Sequence, residues 1–261
     1  VKKSEEHPLG EWMKRQEKNH PRERRIIKAG AEFDEAANEF VYFGPDSRDR
    51  AAPLLNLRTR DVCEDCNKGP LKAAQDAAKP IILQLAKAAE AGLGVVLSQQ
   101  HARELAIWTQ MASLTYELTS GYLCIGSVDM GRQLCRGEPL AHSQVWLCRH
   151  PRDYNISIGL AQLDVSATPT VRPGPPDRRA LLVAITYHYF SSMALIADSP
   201  GQAWPRLPLH QWTLLWPVFG LRLPEFSLSS TVSGTELTEI FTYPGRWIPP
   251  VRSMQRPRPP R

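Results

Sequence analysis

The chain has 261 residues, 42% of them hydrophobic and 23% charged, enough apolar content for a buried core and too little charge for a disordered polyelectrolyte. Lys and Arg outnumber Asp and Glu by 32 to 27, a net charge of +5 that suits a polyanionic partner without demanding one. Five cysteines with one regular spacing argue against a disulfide framework and for a reducing, cytoplasmic setting, and the start V-K-K-S-E-E-H shows no secretory signal.

Residues 1–30 carry nine Lys or Arg against five Glu, the densest basic stretch of the chain. It reads as a solvated helix face or as a surface that tracks phosphates. Between 31 and 60, Phe33, Phe40, Val41, Tyr42 and Phe43 precede the turn signal Gly44-Pro45-Asp46, which predicts a short strand and a loop. The Ala-, Leu- and Lys-rich stretch from Leu71 to Ala91 predicts a helix, with Pro80 kinking it or starting a second one, and Gly92 and Gly94 ending it. Ser98 then caps a helix running to about Thr119, in which Leu105, Trp108, Met111, Leu114 and Leu118 form one buried stripe.

Beyond Gly121 the period shortens. Val145 to Cys148, Tyr154 to Val165 and Leu181 to Tyr189 predict strands, with Ile156, Ile158 and Leu160 sharing a face. The longest apolar run, Ala180 to Ala197, is broken by hydroxyls and His188, so it reads as a buried strand followed by another core segment rather than a membrane span. Trp204-Pro205, Trp212 and Trp216-Pro217 read as buried corners, the alternative being a surface that stacks on Pro-rich or nucleobase partners. Cys124, Cys135 and Cys148 read as buried free thiols.

The most specific signal is V-C-E-D-C-N-K-G at 62–69, a Cys-x2-Cys knuckle followed by Asn67 and Gly69 and running into the helix-forming stretch. Two thiols at this spacing grip one edge of a tetrahedral metal site. Upstream lie Glu6-His7 within E-H-P-L-G-E-W at 6–12, and Asn56-Leu57. With Lys79-Pro80 and Leu105-Ala106-x-Trp108 downstream, this ordered set resembles the HNH nuclease superfamily, in particular HNH-like bacterial proteins with a Cys-x2-Cys-Asn zinc knuckle.

The resemblance implies an α+β chain with a small ββα-metal core over 1–70, truncated at its N-terminus. A helical segment over 71–120, a strand-rich mixed α/β region over 121–248 and a disordered Pro- and Arg-rich tail over 249–261 would follow. It implies catalytic roles for His7 as general base, Asn56 as the group that orients it or stabilises the loop, and Asn67 at the catalytic ion, with Glu6 and His7 as further ligands. Mg²⁺ or another divalent cation would serve catalysis, and Zn²⁺ would be structural at Cys63 and Cys66 only where an upstream Cys-x2-Cys completes its ligand set. Members of the superfamily usually carry a second Cys-x2-Cys upstream of the catalytic His, whereas six residues precede His7 here. The expected function is thus DNA phosphodiester hydrolysis by an active or degenerate HNH-like nuclease; the alternative is a non-catalytic DNA- or protein-binding module.

Overall fold

A computed structural model describes residues 3–6, 9, 12–13, 30–34, 39–43, 59–120, 125–151, 153, 156–164, 179–197, 212–217, 225–226, 232 and 252–253. The chain mixes α-helices with antiparallel sheet. Near the N-terminus, β1 (Lys3–Glu6) pairs with β4 (Thr59–Cys63), and β2 (Gly30–Asp34) forms a hairpin with β3 (Glu39–Phe43). The short strand expected between residues 31 and 60 is therefore a pair of strands, while Gly44-Pro45-Asp46 lies outside the described residues.

From β4 the chain passes through a single turn, α1 (Glu64–Cys66), and a π-helical turn (Asn67–Leu71) into α2 (Lys72–Ala91). The buried residues of α2 are Ala78, Ile81, Ile82, Leu85 and Ala89, spaced to fall on one face. Pro80 stays inside this one continuous helix and neither starts a second helix nor ends the first. Its ring lies on the exposed side, where the lost backbone bond is replaced by water at least cost. The helix stops at Gly92, which adopts φ 74°. The Leu93 amide donates to the Ala88 carbonyl at 2.8 Å, and the Gly92 amide donates to the Ala89 carbonyl at 3.3 Å. These bonds need a left-handed residue, which glycine supplies without strain. The Arg149 guanidinium also donates to the Ala89 carbonyl at 3.0 Å, so a cation sits on the negative end of the helix.

After β5 (Val95–Val96), Ser98 caps α3 (Gln99–Ser120), its hydroxyl accepting from the His101 amide at 3.1 Å. The expected single stripe on this helix is wrong in one respect: every residue from Leu105 to Ser113 is buried, as are Thr115, Tyr116 and Glu117, whereas Leu114 and Leu118 are only half-buried. The polar side tolerates this because each hydroxyl finds a local acceptor. Thr109 donates to the Leu105 carbonyl, Ser113 to that of Thr109 and Thr115 to that of Met111, at 2.7–2.8 Å. Gln110 reaches across to Ser143 and accepts from the Leu140 amide. A further helix, α4 (Val128–Cys135), is capped by Ser127 within the region expected to be a strand-rich mixture of α and β.

The main sheet comprises β6 (Ser143–Arg149), β7 (Ile156–Asp164), β8 (Arg179–Tyr187), β9 (Phe190–Ala197), β10 (Thr213–Trp216) and β12 (Arg252–Ser253). A further short strand, β11 (Glu225–Phe226), pairs with β5 instead. The sheet order is β10-β6-β9-β8-β7-β12, with every neighbouring pair antiparallel. The apolar run from 180 to 197 is the β8–β9 hairpin at the middle of this sheet. All residues from Ala180 to Tyr187 and from Phe190 to Ala197 are buried, so both faces are covered and alternation vanishes from the sequence. Leu181, Val183, Ile185, Tyr187, Phe190, Ala194 and Ile196 share one core with the buried residues of α2 and α3. Trp212 is buried as expected, whereas Trp216 is only half-buried and donates its indole N–H to the Leu140 carbonyl at 3.2 Å; Trp204 lies outside the described residues. No helix among the described residues is long and apolar enough to cross a membrane.

One position in this sheet is a polar misfit. Ser192 is buried between apolar partners, and its hydroxyl has no hydrogen-bond partner among the described residues. Its register neighbours are Ile185 on β8 and Leu147 on β6. Ser192→Ala removes an unmade hydrogen bond and little volume, and should raise stability by about 1 kcal/mol in urea denaturation. A loss of stability would show that the hydroxyl is satisfied in solution.

Candidate functional site

The knuckle sits where β4 turns into helix. Cys63 is the last strand residue, with extended backbone, and its sulfur accepts from the Cys66 amide at 3.0 Å. Glu64 and Asp65 occupy the first turn, where the helix dipole favours acidic side chains. Cys63 and Cys66 are joined as a disulfide with their Cα atoms 5.2 Å apart. Both residues are half-buried rather than enclosed. Among the described residues, Cys148 is a buried free thiol and Cys135 a half-buried one; burial raises the Cys135 pKa. Cys124 lies outside the described residues.

Asn67 opens the π turn and is half-buried. Pro70, inside that turn, has no N–H for the carbonyl four residues back, and its ring crowds that carbonyl. The ladder widens accordingly, and the Lys72 amide reaches the Asn67 carbonyl five residues back. Lys68 and Lys72 lie on the exposed side, paired with Glu64 and Asp76 respectively. The Lys68 pKa is raised by its hydrogen bond to Glu64 and by the charge of that carboxylate. Pairs this exposed hold weakly and exchange readily for another anion.

The E-H-P-L-G-E-W stretch is fixed at both ends. Glu6 closes β1 opposite Thr59, while Leu9 and Met13 are buried in the main core. The Trp12 ring packs 5.9 Å from that of Tyr187 on β8, and the Lys79 ammonium of α2 lies 5.8 Å from the centre of the Trp12 ring. His7 and Asn56 lie outside the described residues, as does most of the basic stretch 1–30, and of Glu6 only the backbone is described.

The β1–β4 register sets Lys3 opposite Cys63 and Glu6 opposite Thr59. Three residue steps on β1 and four on β4, roughly 10–13 Å at about 3.3 Å per residue, separate those two rungs. Cys63, Cys66 and Asn67 are thus brought together, and Glu6 stands at the other end of the same ladder. As a disulfide the two sulfurs ligate no metal; a tetrahedral zinc takes four ligands, of which two reduced thiols would be half. Among the described residues, no three His, Cys, Asp or Glu side chains gather at metal-binding distance.

A second titratable pair escaped the sequence. His188 and Tyr189 form the tight turn between β8 and β9, and His188 adopts φ 54°, a conformation uncommon for a residue with a side chain. Its Nδ1 lies 3.1 and 3.2 Å from the two carboxylate oxygens of Asp153. The imidazole is therefore oriented by a carboxylate, and its ring packs edge-on against Tyr187, which also contacts Trp12. Only the fold joins positions 153 and 188, so no spacing rule finds them. His150 is enclosed and serves the fold instead: Nδ1 donates to the Val232 carbonyl at 2.7 Å, and Nε2 lies 2.6 Å from the Ser191 hydroxyl.

Comparison of the chain with protein-family models, with curated proteins and with solved structures finds no match.

Proposed function

We propose that this chain is an HNH-like, metal-dependent endonuclease that hydrolyses DNA phosphodiesters. The observation that carries the reading is the order strand, strand, helix. β1, which ends at Glu6 just before His7, pairs antiparallel with β4, and β4 runs directly into the helical stretch through Cys63, Cys66 and Asn67. In this reading His7 takes the proton of the attacking water, Asn56 orients the imidazole, and Asn67 and Glu6 offer oxygen atoms to a divalent cation. A bound Mg²⁺ would neutralise charge on the scissile phosphate. Lys68 and Lys72, whose own side chains are exposed, are available to DNA phosphates.

The purified chain, incubated with supercoiled plasmid and Mg²⁺ or Mn²⁺, should nick it. His7→Ala should slow nicking by about 100-fold or more, the scale of a lost general base. An unchanged rate in the variant would remove His7 from the mechanism.

A second reading, a non-catalytic DNA- or protein-binding module on the same scaffold, is favoured by the Cys63–Cys66 disulfide and by the offset of Glu6 from Cys63 along the ladder. DNA binding that weakens with salt, unaccompanied by metal-dependent cleavage, selects it.

A further inference from the structure

We infer that Cys63 and Cys66 form a reversible thiol–disulfide exchange site whose co-substrate is a dithiol reductant, and that the site works whether or not the chain cleaves DNA. Three observations on the pair converge. The bond spans two intervening residues already held in a helical turn, so it closes the kind of short loop that contributes least to restraining an unfolded chain. Structural stapling therefore gives it little reason to persist. Both residues are half-buried at the surface of the turn, so an attacking sulfur can approach. The Cys66 amide already points at the Cys63 sulfur, 3.0 Å away, and that donor remains in place when the bond opens.

The asymmetry of that last contact sets the direction of exchange. A thiolate of the reductant attacks the Cys66 sulfur, a mixed disulfide forms, and Cys63 leaves as a thiolate held by the Cys66 N–H. The second thiol of the reductant then attacks its own sulfur in the mixed disulfide and releases Cys66. Two electrons pass from the dithiol to the cysteine pair, the reductant becomes a disulfide, and its two thiol protons end on Cys63 and Cys66. Nothing in the backbone has to move: the extended conformation of Cys63 and the helical one of Cys66 accommodate two free thiols as well as one bond. Cys148 is buried, which screens its thiol from the reductant.

The test is a redox titration of the full chain in mixtures of reduced and oxidised dithiothreitol, quenched with acid, alkylated and read by peptide mass spectrometry. The peptide spanning the knuckle should gain both labels together, from none to two, at one midpoint that is the same in either direction. Its far-UV circular dichroism should stay unchanged across the transition. Two labels at the most oxidising mixture would show that no bond forms. No label at the most reducing mixture would show an inert cystine, and loss of helix on reduction would show a structural staple. Each of these overturns the proposal.

Discussion

Glu117→Gln should lower the stability of this protein by about 3 kcal/mol, the scale of one hydrogen bond replaced by a donor–donor clash and a second one weakened at a buried site. Glu117 is fully enclosed near the end of α3, and its two oxygens accept from consecutive backbone amides, Ile125 at 2.8 Å and Gly126 at 2.9 Å. The carboxylate is the anchor that returns the chain to the helix before Ser127 caps α4. Gln keeps the shape but turns an NH₂ toward one of those amides, setting donor against donor. The packing also explains Gly126: a Cβ there would lie 3.0 Å from Leu114 Cδ2 and 3.2 Å from the Glu117 carboxylate, so a side chain would displace the anchor. For a chain of this size the loss corresponds to a fall of about 6–12 °C in the thermal midpoint. An isosteric Gln variant that melts within a degree of the parent would mean that Glu117 is not the anchor.

How much of this was legible beforehand follows from where the signals are local. Ala-rich composition and Gly92 marked α2, and Ser98 marked the start of α3, because propensity and capping act within one turn. The β8–β9 hairpin was legible as two core segments because an uninterrupted apolar run of that length, broken by hydroxyls, suits strands covered on both faces. The burial of the polar side of α3 was not legible as burial. Thr109, Gln110, Ser113 and Glu117 look like a wet face until their acceptors are known, and the partners of Gln110 and Glu117 lie well along the chain. The spacing of Thr109 and Ser113 was the available hint, since hydroxyls four residues apart can each bond back to the preceding turn. At the candidate site the motif fixed Cys63, Cys66 and Asn67 as neighbours. Strand register, which the sequence states nowhere, decides that Glu6 lies beside Thr59.

His150→Phe should remove both a large part of the stability and its pH dependence near neutrality. His150 joins three segments: its amide donates to the Tyr189 carbonyl at 2.7 Å, its Nδ1 donates to the Val232 carbonyl, and its Nε2 meets Ser191, whose hydroxyl lies 2.6 Å from that of Thr186. The carbonyl can only accept, so Nδ1 carries the proton in the neutral ring and Nε2 accepts from Ser191. The Ser191–Thr186 pair can reverse its hydrogens, so hydrogen bonding alone does not keep Nε2 bare. Burial does. It pushes the His150 pKa below the ordinary histidine value, and the Val232 carbonyl, which favours the charged ring, only partly opposes it. The folded state therefore holds His150 neutral while the unfolded chain takes up a proton as pH falls through about 6.5. Stability is complete above that pH and declines below it, by up to about 1.4 kcal/mol per pH unit, until the depressed folded pKa is reached. Phe fills the ring space but strands the Val232 carbonyl and one partner of Ser191, which should cost about 2–4 kcal/mol at pH 7.5. Because Phe takes up no proton in either state, the gap between parent and variant should narrow from pH 6.5 to 5.5 in urea denaturation. A gap that stays constant over that interval would mean that His150 is protonated in the folded protein and that the enclosed neutral ring is misassigned.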